Sequence, residues 1–232
     1  MRGIAIIPAR QGSKRIANKN IKKFHGKPII HYSIEAAISS AKFERIIVST
    51  DSEEIADICK AKGAEVPFLR SKNLSDDHSS VIDVVRNFIN SSDVNVQRYE
   101  IVTLIYATAP LIRVEDLKKA INLIVNNDFV VSVTPYDYPI QRALRLKNKG
   151  QTITMIEEQN FLKRSQDFQQ TYHDAGQFIV GKTDAWLKKT PFIDSLTAPL
   201  PIPSFAVQDI DNESDWRLAE YKYELLKKMK FG

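Results

Sequence analysis

Cysteine is all but missing from this chain: 232 residues include one, Cys59. A disulfide framework and a thiolate zinc site are thereby excluded, and a buried structural thiol is the expected role for Cys59. The four histidines are scattered, with no pair at metal-ligand spacing. No apolar run approaches the ~18 residues of a membrane span. Internal repeats and low-complexity tracts are lacking. So is the phosphate loop Gly-x-x-x-x-Gly-Lys-Ser/Thr, because Gly12 and Gly26 have the wrong spacing; a P-loop ATPase or kinase is disfavoured. Met1-Arg2 leads straight into the first strand, which leaves no room for a secretory leader and makes the cytoplasm the expected compartment.

The bulk of the chain is ordinary. A hydrophobic fraction of 43% and a charged fraction of 26% fit a soluble globular protein, and the length suits one large α/β domain or one domain with an excursion. The net charge of +5 is a mild basic bias without a Lys/Arg stripe interleaved with aromatics. Nucleic acid is therefore not the expected partner, and anionic small molecules fit better.

Strands and helices alternate from the start. Gly3 to Pro8 reads as a buried strand, Ile29 to Ser40 as a helix behind Pro28, and Arg45 to Thr50 as a second buried strand. Asp51-Ser52-Glu53-Glu54 opens a helix that runs to Lys62 and stops at Gly63. Ala64 to Leu69 reads as a short strand, Ser79 to Asn90 as a helix, Glu100 to Tyr106 as a strand, Val114 to Val125 as a helix and Phe129 to Val133 as a strand. This alternation predicts a mostly parallel open sheet with helices on both faces, a Rossmann-like α/β fold. The pattern breaks over 134–172, a polar segment in which Ala143 to Lys147 and Thr152 to Ile156 alternate as two antiparallel strands around Asn148-Lys149-Gly150. Two readings stand for it: an arm that pairs with a partner subunit, or a flexible loop. Gly176 to Val180 resumes the sheet, Phe205 to Val207 reads as a last strand, and Asn212 caps a final helix from Glu213 to Met229.

Chemistry concentrates at the end of the first strand. There Ala9-Arg10-Gln11-Gly12-Ser13-Lys14-Arg15 sets three fixed cations, a glycine and a hydroxyl where an open α/β sheet binds its ligand. Arg10, Lys14 and Lys19 converge on a polyanion if the loop curls over it, Gly12 permits close backbone approach, and a nucleoside triphosphate is the first ligand to expect. Any one of these cations alone would be an ordinary solvated charge. Late in the chain, Asp209-Ile210-Asp211 spaces two carboxylates i, i+2, so that in an extended segment they share a face. Such hard oxygen donors suit Mg²⁺ held jointly with substrate phosphates; the plainer reading is that one of them assists Asn212 in capping the helix. Arg70 with Ser75-Asp76-Asp77-His78-Ser79-Ser80 is a capping cluster and also a set of donors for a phosphate or base edge. Tyr106, at the end of a buried strand, faces either crevice or core. Arg164 suits a carboxylate, and His173 alone reads as structural.

Together these strings resemble the nonulosonate cytidylyltransferases, which make CMP-activated sialic-acid-like sugars. The resemblance spans nearly the whole chain and rests on Ile7-Pro8-Ala9-Arg10 with Gly12-Ser13-Lys14-Arg15, Asn18-Lys19-Asn20, Gly26-Lys27-Pro28, Val48-Ser49-Thr50-Asp51, Ser75-Asp76, Thr108-Ala109-Pro110 and Asp209-Ile210-Asp211. Tyr106, Pro139-Ile140-Gln141-Arg142-Ala143-Leu144, Arg164-Ser165-Gln166-Asp167 and Tyr172-His173-Asp174-Ala175-Gly176-Gln177-Phe178 are similar to the pseudaminate branch of that family.

The resemblance implies a magnesium-dependent transfer of CMP from CTP to the anomeric hydroxyl of a nine-carbon 2-keto sugar acid, with Arg10, Lys14, Asp209 and Asp211 as catalytic residues. It implies that Ala9, Arg10, Gly12, Ser13, Lys14, Lys19, Asn20, Arg70 and Ser80 bind the nucleotide, and that Asp209 and Asp211 bind the metal. Tyr106, Arg164, Gln166, Asp174 and Gln177 would face the sugar. Segment 134–172 would be a dimerisation arm in a homodimer, and the organism a bacterium that decorates flagellin or surface polysaccharide. Ala17, Ala107 and Ile179-Val180 depart from the family pattern, the last pair at the far wall of the sugar pocket. Three alternatives remain: the same reaction on neuraminate, legionaminate or Kdo, a non-catalytic nucleotide-binding protein, and a sugar-1-phosphate nucleotidyltransferase, which would attack with a phosphate rather than a hydroxyl.

Overall fold

The apolar run at the start of the chain lies inside a sheet. A computed structural model describes residues 2–71, 80–91, 94–188, 193 and 196–230. It contains, in order, β1 (Gly3–Pro8), β2 (Lys23–Phe24), β3 (Lys27–Pro28), α1 (Ile30–Ser40), β4 (Arg45–Ser49), α2 (Glu53–Ala61), α3 (Val81–Asn90), β5 (Ile101–Ile105), α4 (Val114–Leu123), β6 (Phe129–Pro135), β7 (Leu144–Lys147), β8 (Thr152–Met155), β9 (Tyr172–Lys182), α5 (Thr183–Leu187), β10 (Thr197–Pro201) and α6 (Glu213–Lys230). The main sheet has six strands in the order β10-β6-β9-β5-β1-β4. Five are parallel, and β9 runs antiparallel between β5 and β6. Residues 136–171 leave the sheet at the end of β6 and return to the same edge, so the next strand must run the other way.

Strand alternation divides the core between two faces. In β1, Ala5 and Ile7 join a cluster with Ile34 of α1, Cys59 of α2 and Leu117 of α4. Ile4 and Ile6 join the opposite cluster with Val85 and Phe88 of α3 and Trp186 of α5. Helices therefore cover both faces, as the βα pattern predicts. Burial pushes the Cys59 thiol up to about 12, which leaves it unreactive. Among the described residues no helix is long and apolar enough to cross a membrane.

Two expected strands are corrected. Ala64 to Leu69 makes a single bridge, Glu65 to Ile47, and no strand. Phe205 to Val207 is not a strand either: a 3-10 turn occupies Ser204–Ala206. The last strand is instead β10, which contains Pro199 and Pro201 and, among the described residues, pairs only with β6. Proline lacks the N–H that a central strand needs, so such a strand is tolerated at a sheet edge.

Gly181 is required by close approach. A Cβ there would lie 2.5 Å from Trp186 Nε1 and 2.6 Å from Phe129 Cε1. Neither ring can give way, because Trp186 Nε1 donates to the Val102 carbonyl at 3.0 Å and packs edge-on against Phe129. Gly181→Ala is expected to destabilise the fold by about 1–3 kcal/mol, read as a lower midpoint in denaturant unfolding.

His31 of α1 gives the fold an acid sensitivity. Its Nε2 is buried without a hydrogen-bond partner, and burial first, then Lys62 and Lys27, holds its pKa below the ordinary 6.5 against the Ile58 backbone and Glu35. The unfolded chain therefore takes up a proton near pH 6.5 while the folded one does not. Stability should fall as pH drops from 6.5 toward the lowered folded value. His31→Gln should flatten that part of a melting-temperature profile against pH.

Candidate active site

The parallel strands β1, β4 and β5 end at one edge of the sheet, and the loops that leave β1 and β5 line a cavity of about 550 Å³ there. The loop after β1 supplies Arg10, Ser13, Lys14, Arg15, Lys19 and Asn20 to its lining, and the segment after β5 supplies Tyr106, Ala107 and Thr108. Arg70 closes one side, Val81 and Val84 of α3 give an apolar wall, and Asp211 enters from the far end of the sequence. The early basic loop and one late carboxylate thus meet across a single crevice.

Local bonds hold the loop in place. Ala9 is fully buried and its N–H donates to the Ser49 carbonyl at 2.8 Å. Gln11 N donates to Asp51 Oδ1 at 2.9 Å, and Asn20 Nδ2 returns to the Arg10 carbonyl at 2.8 Å. The loop is fastened at both ends while Lys14 stays exposed. Gly12 is exposed, a Cβ there would meet open space, and its φ is not left-handed. The chain's own folding does not call for glycine at this position. Arg70 is 6% exposed; burial holds its guanidinium below its ordinary value, Asp51 opposes that, and Arg10 adds to it. Two guanidinium groups that repel across a cavity favour an anion between them.

The acidic pair is held differently. Ile210 is fully buried, so Asp209 and Asp211 point away from the core, with Asp209 exposed and Asp211 half-buried. Neither carboxylate caps α6. Asn212 Oδ1 accepts from the N–H groups of Ser214 and Asp215, and Asp215 Oδ2 accepts from those of Asp211 and Asn212. Neither side chain of the pair is spent on the cap. Lys19 Nζ donates to the Ile210 carbonyl at 2.5 Å, which ties the basic loop to the acidic pair.

Asp209 lies outside the main cavity, in a second cleft of about 420 Å³ shared with Tyr136, His173 and Lys222. Tyr106 lies close to this cleft as well. Its hydroxyl is pushed up to about 12 by burial and by the charges of Asp174 and Asp209, so it remains a donor at neutral pH. Asp174 is exposed, yet desolvation of its carboxyl by the surrounding protein and the charge of Asp209 hold it above its ordinary value, against the Gly176 N–H and His173. Negative charge from Asp209 beside Asp174 makes a place where a cation is welcome. Among the described residues no three His, Cys, Asp or Glu side chains gather as a metal cage. Asp209 and Asp211 offer the one or two carboxylates that a cation such as Mg²⁺ takes when phosphate oxygens and water complete its shell.

Other expected site residues lie elsewhere. Ser80 forms a capping box with Asp83 at the start of α3, which occupies its hydroxyl. Residues 75–79 of the same cluster lie outside the described residues. Gln177 is buried; its Nε2 donates to the Ala206 carbonyl at 2.6 Å and its Oε1 has no partner. Arg164 and Gln166 are exposed on the excursion, away from the cavity of their own chain, and Arg164 forks onto Asp167 through two 3.0 Å bonds. His173 Nδ1 lies 2.9 Å from the Asp174 carbonyl, and its ring packs on Tyr136.

Two features escaped the sequence reading. Arg15, left out of the expected binding set, lies 2.8 Å from Asp211. Lys222 of α6 donates to the carbonyls of Ser204 and Val207 at 3.1 and 2.6 Å, and so braces the turn that leads into Asp209. Arg15 stood in the cationic string; a lysine on a polar helix such as α6 carries no signal of its own.

A family model described as Cytidylyltransferase matches residues 4–190. The pseudaminic acid cytidylyltransferase of Campylobacter jejuni subsp. jejuni serotype O:2 is 41% identical over 227 residues, 97% of each chain. The CMP-N,N'-diacetyllegionaminic acid synthase of Legionella pneumophila is 33% identical over 236 residues, again 97% of each. Among solved structures, a CMP:2-keto-3-deoxy-manno-octonic acid synthetase complexed with CTP superposes with a TM-score of 0.69 at 14% identity, covering 98% of this chain and 100% of that one. A 4-diphosphocytidyl-2C-methyl-D-erythritol synthase from Anaerococcus prevotii gives 0.63 at 13% identity, covering 96% and 98%. At such identities the structural likeness concerns the fold.

Proposed function

The chain belongs to the cytidylyltransferase family, and from that premise we propose that it transfers CMP from CTP to the anomeric hydroxyl of pseudaminic acid, with release of pyrophosphate. One observation carries the reading: Arg10, Lys14, Lys19 and Asp211 line a single cavity at the carboxyl edge of the sheet. Relatives named for pseudaminic acid, at 41% identity over almost the full length, support the choice of acceptor.

Phosphoryl transfer asks a protein mainly for positioning and charge neutralisation. Arg10, Lys14 and Lys19 grip the triphosphate. Arg70 supplies buried positive charge, and Val81 and Val84 give the nucleotide an apolar wall. The acceptor lies toward Tyr106, Asp174 and Asp209. Its hydroxyl oxygen bonds to the α-phosphorus, the bond to the β-phosphate oxygen breaks, and that electron pair leaves with pyrophosphate. Asp174, whose proton affinity is raised, is suited to take the hydroxyl proton, while Tyr106 donates a hydrogen bond. Asp209 and Asp211 would hold Mg²⁺, which when bound neutralises phosphate charge and acidifies a hydroxyl.

A homodimer completes the reading. Register places Leu144, Leu146, Ile153 and Met155 on one face of the β7–β8 hairpin, and Leu144, Leu146 and Ile153 are exposed. Phe161 and Leu162 beyond it are exposed as well. A lone two-stranded hairpin is marginal in water, and a second copy would cover this face. Such an arm would carry Arg164 and Gln166 to the partner's site. The cytoplasm, where CTP is kept, is the proposed setting.

The test is a panel of sugar acids with CTP and Mg²⁺, read by pyrophosphate release and by the mass of the CMP product. Pseudaminic acid is expected to turn over fastest. Faster turnover of neuraminic, legionaminic or Kdo acid would reassign the acceptor, and CTP binding without product from any acid would leave a nucleotide-binding protein.

A further inference from the structure

Asp211 has a cationic partner in the cavity. Arg15 Nη2 lies 2.8 Å from Asp211 Oδ1, and Lys19 Nζ lies 3.7 Å from the same oxygen. The pairing follows from the neighbours of the two residues. Ile16 and Ile210 belong to one apolar cluster, with Phe24, Tyr32, Trp216 and Ala219. Burying Ile16 beside Ile210 brings the backbones of Arg15 and Asp211 together from opposite ends of the chain. The two cations on Asp211 are not equally held. The Lys19 side chain is 21% exposed and bonded to the Ile210 carbonyl, whereas that of Arg15 is 68% exposed and free to turn within the cavity that it lines.

We propose that Arg15 exchanges partners: it neutralises Asp211 until a divalent cation takes that carboxylate, and then moves to the triphosphate. This rests on the reading of Asp211 as a metal ligand in a CTP site. A cation on Asp211 repels the guanidinium beside it, and a triphosphate offers that guanidinium planar, bidentate acceptors. Neither half of the exchange is favourable alone. A metal without phosphates must drive Arg15 into water, and a nucleotide without metal finds Arg15 held by Asp211. Arriving together, each removes the obstacle to the other. Arg15 is thereby a coupling element, and the coupling acts equally on both ligands.

Arg15→Gln separates this from a fixed phosphate contact. Three quantities are measured on the full chain without acceptor: Mn²⁺ affinity without nucleotide, CTP affinity with Mg²⁺, and CTP affinity in EDTA. Relative to wild type, the variant is expected to bind Mn²⁺ about fivefold more tightly and CTP about tenfold more weakly with Mg²⁺, while changing less than about twofold in EDTA. Arg15→Lys keeps the charge without the fork, and its losses should be intermediate; thermal melts check that both variants fold. An equal loss of CTP affinity with and without metal, no loss in either, or unchanged or weaker Mn²⁺ binding each overturns the proposal. Asp211→Asn tells the two readings apart. If it keeps wild-type Mn²⁺ affinity in the presence of CTP, the metal assignment itself fails. If it loses that affinity while Arg15→Gln behaves as wild type, only the exchange fails.

Discussion

Asp211→Asn should lower kcat/KM by about a thousandfold, a loss of about 4 kcal/mol of transition-state stabilisation, while leaving the melting temperature close to wild type. The substitution keeps the shape of the side chain and removes its charge. The cap of α6 survives it, since that cap is made by Asn212 and Asp215 with the Asp211 backbone N–H and uses no Asp211 oxygen. The core survives as well, because Ile210 supplies the buried contact and Asp211 faces the cavity. A triphosphate brought among Arg10, Lys14 and Lys19 without this carboxylate would lack the anchor for the cation that neutralises it. A variant with near-normal turnover and Mg²⁺ dependence would remove Asp211 from the chemistry. A variant that melts several degrees lower would show that its carboxylate serves the fold instead.

Lys19→Met should have the second-largest effect, and a different signature. Lys14 and Lys19 both line the cavity, but Lys14 is exposed, whereas Lys19 is drawn in to the Ile210 carbonyl. Losing Lys19 leaves a carbonyl beside the acidic pair without its charged donor, and hydrogen bonds to charged groups contribute about 1.5–3 kcal/mol. Lys19→Met is therefore expected to lose about 10²-fold or more in kcat/KM and also to unfold at lower denaturant. Steady-state kinetics and denaturant melts on Lys14→Met and Lys19→Met decide the matter. Wild-type stability in Lys19→Met would make the Ile210 contact incidental.

Much of this protein is readable without coordinates, and the reasons are local. β1 is legible because a strand buried on both faces must be a continuous apolar run. The starts of α2 and α6 are legible because Ser52 and Asn212 announce caps that the structure contains. The cationic string after β1 points to a polyanion site because it combines fixed charge, glycine and strand end. The errors are equally physical. Pro199 and Pro201 argue against a strand, yet β10 sits at the edge where missing N–H groups do no harm. Residues Ala64 to Leu69 have strand-like content, but one bridge to Ile47 is all the pairing they make. Propensity cannot see whether an edge is available.

By itself the sequence determined the class of fold, the cytidylyltransferase family, the basic loop and the acidic pair, since each is written in residues close together along the chain. The tertiary structure alone decided which of them touch. It placed Asp211, and not Asp209, in the main cavity, tied Lys19 to the Ile210 carbonyl and set Arg15 against Asp211. Those contacts join residues from opposite ends of the chain, and they exist because burying Ile16 with Ile210 brings the two ends together, a consequence of packing that no local pattern encodes.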